Sequence, residues 1–317
     1  MDHEPNIAII IPCYNEALTI GEVIQDFRKA LPNADIYVYD NNSTDNTPRV
    51  AEQAGAIVRF EPRQGKGFVV RSLFQEVEAD IYLLVDGDST YPANMAVDMV
   101  RPILERKAHM TVGERLKMAE QGAFRSMHKI GNSIITKTIN RLFRANLTDV
   151  LSGYRSFSRT FVKTTPLLST GFEIEVELTL HALDARRKII EVPIPYRKRP
   201  SGSYSKLSTF RDGWLVLNTI IAIYKDYRPL RFFGILAIIL FLLGCLAGLP
   251  VVVEYFRTSI VTRIPLSVLA ASLMLLATQL LVVGLILHTM ARDRRLTQEL
   301  WILQRTDNTF SKNPFRM

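Results

Sequence analysis

The sequence predicts an α/β domain with a mostly parallel sheet, followed by two membrane-spanning helices. Between residues 6 and 112, short apolar runs alternate with segments of helical periodicity, the pattern of strands joined by covering helices. Two long apolar segments follow near the C-terminus. The expected strands are 7–11, 36–39, 56–60, 81–85 and 110–112, and the expected helices are 19–29, 47–54, 66–77 and 93–105.

After Gly113 the alternation becomes less regular. A helix is predicted over 125–143, a second over 173–183 and a strand over 189–196. We therefore assign residues 1–205 to one globular domain, without an internal repeat or a low-complexity linker.

Two apolar segments, 232–253 and 264–290, predict a transmembrane hairpin within 231–291. The first contains no charged side chain, and the second has only Gln279 and His288 as notably polar residues. Both exceed the roughly 20 residues that a helix needs to cross the hydrocarbon core. Two buried helices of a soluble helical domain are the alternative, but such helices normally carry a polar stripe, and these are apolar all round.

The charges around the hairpin predict its orientation. Basic residues are more frequent outside the two segments than between them, which places both outer ends in the cytoplasm. The outer basic residues are Lys225, Arg228, Arg231, Arg292, Arg294 and Arg295, and those of the connecting loop are Arg257 and Arg263. Residues 1–6 are polar and do not resemble a signal peptide. We expect a multi-pass protein of the cell (inner) membrane, with the first domain and the tail 292–317 in the cytoplasm.

An amphipathic helix is predicted over 206–230. Its apolar positions recur at helical spacing, with Trp214 and Tyr224 among them. Such a helix lies in the membrane interface or packs on the first domain, and one helix is able to do both.

The net charge of +8 suggests a partner, since 39 basic residues outweigh 31 acidic ones. No nucleic-acid-binding motif accompanies this charge, so anionic lipid is the simpler partner. Cys13 and Cys245 are the only cysteines. They form neither a metal-ligand cluster nor a disulfide framework.

Polar clusters follow the predicted strands where ligands bind in sheets of this kind. Residues 12–16 read Pro-Cys-Tyr-Asn-Glu after the first strand, and Asp40 begins Asp-Asn-Asn-Ser-Thr-Asp after the second. Acidic and amide side chains at these positions accept hydrogen bonds from a base or a ribose. Each cluster alone also fits a helix cap or an Asx-turn.

Asp86-Gly87-Asp88 directly follows the apolar strand 81–85. Two carboxylates at a strand end are able to hold a divalent cation that neutralises a diphosphate. The tripeptide is common by chance in exposed turns, so its position after a buried strand carries the prediction.

These motifs together resemble the inverting family 2 glycosyltransferases. The resemblance rests on residues 12–16, Asp40 with its turn, Arg63-Gln-Gly-Lys-Gly67, Asp86-Gly-Asp88 and Ser152-Gly-Tyr-Arg155. The order is most similar to dolichol-phosphate mannosyltransferases and bacterial polyprenyl-phosphate glycosyltransferases, over about residues 5–230. The resemblance implies a GT-A-type nucleotide-binding domain that transfers a hexosyl group from a nucleotide-sugar to polyprenyl phosphate. It also leaves room for a homo-oligomer.

The resemblance implies roles for individual residues. Those of the nucleotide site are Pro12, Tyr14, Glu16, Asp40, Asn42, Lys66, Asp86 and Gly87. Asp86 and Asp88 would bind Mg²⁺ or Mn²⁺, and Thr90 stands where the family often has glutamine. The acceptor-phosphate residues would be Arg115, Arg125, Arg199, Ser205 and Lys206, and the catalytic set would be Asp86, Asp88, Arg125, Arg155 and Lys206. Residues 199–206 are two longer than the usual pattern.

Several alternatives stay open on sequence alone. Glu173 and Glu175 could orient the sugar, but acidic residues also favour the first turn of a helix. A processive polysaccharide synthase would share the donor domain, yet Trp214 and Trp301 lack that class's Gln-x-x-Arg-Trp context. A non-catalytic nucleotide-sugar-binding scaffold is the other alternative. A UDP-hexose or UDP-N-acetylhexosamine is the expected donor, with GDP-mannose next.

Overall fold

The computed structural model describes residues 5–119, 126–171, 173–199, 218–219 and 221–311. The chain divides into two compact units, Met1–Val216 and Leu217–Met317.

The first unit is built on a seven-stranded sheet within the described residues, in the order β3-β2-β1-β4-β6-β5-β7. Its strands are β1 Ile7–Cys13, β2 Asp35–Asp40, β3 Ile57–Phe60, β4 Ile81–Leu84, β5 Met110–Ala119, β6 Arg155–Ser158 and β7 Ile189–Tyr196. β3, β2, β1 and β4 run parallel, as do β5 and β7. Only β6 is antiparallel to its neighbours among these pairs. The mostly parallel sheet predicted from the sequence is confirmed.

Helices cover the sheet in the positions that the periodicity predicts, except for the short helix Arg159–Thr164, which was not predicted. They are α1 Ile20–Ala30, α2 Thr47–Gln53, α3 Lys66–Glu76, α4 Ala96–Leu104, α5 Ser126–Phe143, α6 Arg159–Thr164 and α7 Ile174–Asp184. A single 3₁₀ turn, Ala93–Met95, precedes α4.

Apolar residues of β1 reach both faces of the sheet. Ile9 and Ile11 pack into a core with Phe27 of α1, whereas Ala8 and Ile10 pack into a second core with residues of α3. A central parallel strand is buried on both faces, so it reads as a continuous apolar run. For this reason β1 and β4 could be predicted from the sequence.

Two strands differ from the prediction. Arg155–Ser158 forms β6, which was not predicted because its four residues, Arg-Ser-Phe-Ser, show no strand pattern. β5 continues to Ala119, past the predicted end at 112, because it keeps pairing with β7. The register shifts between Glu114 and Met118, which marks a bulge.

The second unit contains two long helices, α8 Pro229–Thr258 and α9 Ile264–Ser311. Pro229–Thr258 and Ile264–Asp293 are each long and apolar enough to cross a membrane, and only 17% of each apolar window is buried. Glycines allow the pair to pack closely: a Cβ at Gly244 would lie 3.1 Å from Met274 Cγ. α9 continues as one helix through part of the predicted tail 292–317. The predicted interfacial helix lies mostly outside the described residues.

Candidate active site

The sheet brings the predicted polar clusters together at one edge. Cys13 of β1 is the register partner of Asp40 of β2, and Asn41 N donates to the Cys13 carbonyl at 2.9 Å. On the other side of β1, Thr19 Oγ1 donates to the Gly87 carbonyl at 2.6 Å. The segments after β1, β2 and β4 therefore share one site.

Asp40 presents a carboxylate oxygen without a partner. Its side chain is buried, and its Oδ2 accepts from Ser43 N at 3.2 Å. Its Oδ1 is also buried, with no hydrogen-bond partner among the described residues. A buried acceptor left unpaired costs about 1–3 kcal/mol, so it is a candidate to receive a donor group of a ligand.

Asn41 and Asn42 hold the loop between β3 and α3. Asn41 Nδ2 donates to the carbonyls of Glu61 and Arg63, at 3.0 and 2.8 Å, and its Oδ1 accepts from Gly65 N at 2.7 Å. Asn42 has φ +62° and donates from Nδ2 to the Pro62 carbonyl at 2.9 Å. The amide of Asn42, predicted to face the nucleotide, is thus engaged in the loop.

Two glycines in this loop allow another backbone segment to pass close by. Gly65 has φ +140°, and a Cβ there would lie 2.1 Å from the Thr170 carbonyl oxygen. A Cβ at Gly67 would lie 2.1 Å from the carbonyl oxygen of Ser169. Side chains at these positions would push the two segments apart. The glycines therefore seat Lys66 against the segment that leads into α7.

Lys66 joins two carboxylates from distant elements. Its Nζ lies 2.6 Å from Asp86 Oδ1 and 2.6 Å from Glu175 Oε1. Burial by itself would lower the pKa of Lys66, but the two carboxylates outweigh it and hold that pKa well above its usual range. The ammonium is therefore a permanent positive charge between Asp86 and Glu175.

Asp88 is buried and bonded on both oxygens. Its Oδ1 accepts from Thr90 Oγ1 at 2.6 Å, and its Oδ2 lies 2.6 Å from Arg199 Nη2. Asp86 is more exposed, and the backbone of Gly153 closes over it: a Cβ on Gly153 would lie 2.6 Å from Asp86 Oδ2. Both carboxylates of the Asp-Gly-Asp motif thus have a nearby protein cation.

The donor set fits a divalent metal that is shared with a substrate. Within the described residues, no group of three or more His, Cys, Asp or Glu side chains is arranged to hold a metal ion. Asp86 and Asp88 would supply two oxygen ligands, and Mg²⁺ or Mn²⁺ commonly completes such a pair with phosphate oxygens and water. A third protein ligand at Thr90 is not required, and its hydroxyl is used by Asp88.

A second buried ion pair lies beside the carboxylates. Arg115 Nε and Nη2 donate to the two oxygens of Asp149 at 2.7 and 2.9 Å, and Asn132 adds a bond of 3.0 Å to Oδ1. Burial would raise the pKa of Asp149, but Arg115 outweighs it and keeps that pKa below its usual value. Arg115 also lies over the ring of Tyr196, 5.2 Å from its centroid.

The family of the chain follows from comparison with known proteins. The family model for glycosyl transferase family 2 matches residues 8–165. Glycosyltransferase AglJ of Haloferax volcanii is 34% identical over 281 residues, which cover 88% of this chain and 92% of AglJ. The chain belongs to glycosyltransferase family 2.

Two further relatives of this glycosyltransferase are informative. Undecaprenyl-phosphate mannosyltransferase of Micrococcus luteus is 26% identical over 228 residues, 67% of this chain and 91% of that protein. The structure of glucosyl-3-phosphoglycerate synthase from Mycobacterium tuberculosis, with Mn²⁺ and UDP-glucose, aligns with a TM-score of 0.56 at 20% identity, over 70% of this chain and 78% of that one. The catalytic unit therefore has a GT-A-like fold.

Arg155 of the glycosyltransferase, which was predicted to be catalytic, is bonded to protein groups. Its guanidinium is fully buried and donates to the carbonyls of Val150 and Ser152, at 2.7 and 2.8 Å, and to Thr179 Oγ1 at 2.9 Å. Burial lowers the pKa of Arg155 to about 10. In this structure Arg155 holds the loop that carries Gly153, and a direct catalytic contact stays a prediction.

The remaining predicted residues divide into three groups. Glu175 binds Lys66, whereas Glu173 Oε1 accepts from the backbone N–H of Gly171 at 3.0 Å and so closes a loop. Pro12, Tyr14 and Glu16 are half-buried at the end of β1 or just after it, and Glu16 N donates to Thr47 Oγ1 at 2.8 Å. Arg125, Ser205 and Lys206 lie outside the described residues.

Sequence reasoning missed two residues of the site. Asp149 pairs with Arg115, and the hydroxyl of Tyr91 accepts from Gly153 N at 2.9 Å. Asp149 lies three residues before the recognised motif Ser152-Gly-Tyr-Arg155, and this proximity was its only signal. Tyr91 carries no comparable signal, because its role depends on the fold of the 149–154 loop.

Proposed function

We propose that this enzyme transfers a hexosyl group from a nucleotide-sugar to polyprenyl phosphate, with inversion and with the help of Mg²⁺ or Mn²⁺. The observation that carries the proposal is the pair Asp86 and Asp88 at the end of β4, each beside a protein cation. The two carboxylates would bind a metal ion that holds the diphosphate of the donor. The neighbouring cations would stabilise that diphosphate as it leaves.

The nucleoside side of the site is assigned to Asp40. Its unpartnered Oδ1 would accept a hydrogen bond from the base or the ribose. Pro12, Tyr14 and Glu16 would line the same pocket from the end of β1, and Gly87 lies beside them through its bond to Thr19.

The chain's own charges would stabilise the departing diphosphate. Lys66 and Arg199 are held by Asp86 and Asp88, so their positions are set before a substrate arrives. A bound divalent cation would supply additional positive charge at the diphosphate oxygens. Because an acceptor phosphate is already an anion at neutral pH, its attack on the anomeric carbon needs little help from a general base.

A polyprenyl phosphate acceptor is supported by the relatives and by the two apolar helices. Dolichyl-phosphate hexose transferase of Haloferax volcanii is 25% identical over 224 residues, 70% of this chain and 96% of that protein. Arg115, Arg125, Arg199, Ser205 and Lys206 are the proposed contacts of the acceptor phosphate. Of these, Arg115 and Arg199 are among the described residues, where Arg115 pairs with Asp149 and Arg199 with Asp88.

The donor and the topology complete the proposal. UDP-glucose or a UDP-N-acetylhexosamine is the proposed donor, with GDP-mannose next. We place the catalytic domain, residues 1–205, in the cytoplasm. An interfacial helix over 206–230, a hairpin over 231–291 and a cytoplasmic tail over 292–317 would follow.

A direct assay tests the reaction. The full-length protein, in mild detergent with undecaprenyl phosphate and Mg²⁺ or Mn²⁺, is given radiolabelled UDP-glucose, UDP-N-acetylglucosamine, UDP-galactose or GDP-mannose, and lipid is extracted. Label in the lipid fraction from one donor is expected, and it should be lost in Asp88→Asn. Asp98→Asn is the matched control, because Asp98 is a half-exposed residue on α4 whose ion pair is with Arg101 of the same helix.

The same assay separates the alternative functions. A processive polysaccharide synthase would place the label in a polymer that lipid extraction leaves behind. A non-catalytic scaffold would bind nucleotide-sugar without transfer, and Asp88→Asn would leave its partner binding intact. Nucleotide binding without lipid label from any donor would overturn polyprenyl phosphate as the acceptor.

A further inference from the structure

One polar side chain lies on an outward face of an apolar helix. Gln279 is exposed, and it is near the middle of the apolar segment Ile264–Asp293 of α9. Its amide has no hydrogen-bond partner among the described residues. Two other hydroxyl groups in α9 are satisfied by their own helix: Thr278 Oγ1 donates to the Met274 carbonyl at 3.0 Å and Thr289 Oγ1 to the Leu285 carbonyl at 3.1 Å.

The position of Gln279 around α9 excludes α8 as its partner. α9 packs on α8 through small residues, and Ala270 and Ala277 are buried there. Gln279 comes nine residues after Ala270, which is about two and a half turns of helix, so it lies on the opposite side. An amide in this place faces hydrocarbon, where neither lipid tails nor water supply a hydrogen bond.

A continuous face surrounds Gln279. Ser272 lies about two turns before it and is also exposed. Large apolar residues at heptad-like spacing extend this face; Val268, Leu275, Val282 and Ile286 are 59%, 66%, 49% and 55% exposed. We call these six residues the Gln279 face. Polar residues at the centre of an apolar helix face are characteristic of helix–helix contacts in membranes.

We propose that the Gln279 face is the contact between two copies of this chain, with the two Gln279 side chains bonded to each other. This rests on the proposed crossing of the membrane by α9. Two copies inserted in the same orientation have parallel α9 helices, so a two-fold axis along the membrane normal brings each residue to the same depth as its own copy. A glutamine amide is self-complementary, since its carbonyl accepts and its NH₂ donates.

The self-pairing also explains why one glutamine suffices. A single polar residue in an otherwise apolar seam fixes the register of two helices, because any shift leaves both amides unpaired. A different membrane protein would need its own polar group at the same depth. The described structure favours a second copy because that copy supplies the matching group automatically.

Cross-linking of the full chain tests the contact. The background is Cys245→Ala, since Cys13 is buried and Cys245 is only partly buried. Purified protein is reconstituted in lipid vesicles, and its resistance to alkaline carbonate extraction is checked first, so that a failed membrane assignment is recognised separately. Ser272→Cys, which lies on the same face and keeps Gln279, should form a disulfide-linked dimer on oxidation. Leu242→Cys, which is 60% exposed on α8, should not.

Substitutions that keep or remove the amide give a second, independent measurement. Dimerisation is measured by fluorescence energy transfer between labelled copies, in samples with a decreasing protein-to-lipid ratio. Gln279→Leu should weaken the dimer by about threefold to thirtyfold, the range expected for a hydrogen bond within a membrane. Gln279→Asn should retain most of the affinity. A monomer at every ratio, or equal cross-linking from Leu242→Cys, would overturn the proposal, whatever the outcome of the hexosyl transfer assay.

Discussion

Gly153 lies against the carboxylate of Asp86. A Cβ atom at Gly153 would come 2.6 Å from Asp86 Oδ2 and 3.1 Å from Cγ, so only a glycine fits while the carboxylate keeps its place. The loop that carries Gly153 is itself held by Arg155 and Tyr91. The position of a proposed metal ligand thus depends on a backbone segment that is distant in sequence.

Gly153→Ala should displace Asp86 and reduce transfer. A misplacement of about 1 Å at a catalytic centre costs on the order of 100-fold in rate, and we expect a loss of this size in kcat/KM. Gly234→Ala is the control, because a Cβ there meets nothing within 4 Å. Transfer rates of both variants, measured beside their thermal unfolding, check the prediction. Wild-type activity in Gly153→Ala would contradict it.

Lys66→Met should destabilise the fold as well as lower activity. It leaves Asp86 and Glu175 facing each other without their shared cation, and removing one partner of a buried ion pair costs about 3–5 kcal/mol. Adding Glu175→Gln should recover part of the unfolding free energy but not the transfer rate, since the proposed contact of Lys66 with the diphosphate stays lost. Lys29→Met, at an exposed position, is the matched control.

Asp149→Asn should lower stability in a pH-dependent manner. The folded pKa of Asp149 lies below its usual value of 3.8, so its carboxylate stabilises the native state above that pH and loses this effect as the pH falls through the folded pKa. The difference in unfolding free energy between wild type and variant should be about 3–5 kcal/mol at pH 7 and should shrink at acid pH. Unfolding measured between pH 7 and acid pH checks the direction of this change. A difference in unfolding free energy that grows towards acid pH would contradict the stabilising role of the Asp149 carboxylate.

Glu114 should position Arg115 by holding the backbone of the bulge in β5. Glu114 is buried, and its Oε1 accepts from the backbone N–H groups of Leu116 and Lys117, at 3.0 and 3.1 Å. Glu114→Ala removes both bonds and should misalign Arg115, raising KM for the lipid acceptor several-fold with a smaller change in the donor KM. Glu114→Gln keeps an acceptor oxygen and should restore the acceptor KM. Equal behaviour of the two variants would argue against this role.

Most strands and helices of the catalytic unit could be predicted, because the apolar pattern within each segment indicates which of its residues are buried. β1 and β4 are apolar runs, and α1 and α4 show a clear helical period. β6 could not be predicted. Its Arg155 is buried where it meets two carbonyls of the preceding loop and Thr179 of α7, a meeting that depends on the fold.

The sequence by itself determined approximately where β1 to β4 and β7 end, which polar residues follow β1, β2 and β4, and which two segments are apolar enough to span a membrane. It also determined the family, through motifs in a fixed order. The tertiary structure alone decided which charges meet: Lys66 pairs with Glu175 across 109 residues and Arg115 with Asp149 across 34. Periodicity records whether a side chain is buried, but ion pairing depends on distances through space, which only the packed fold defines.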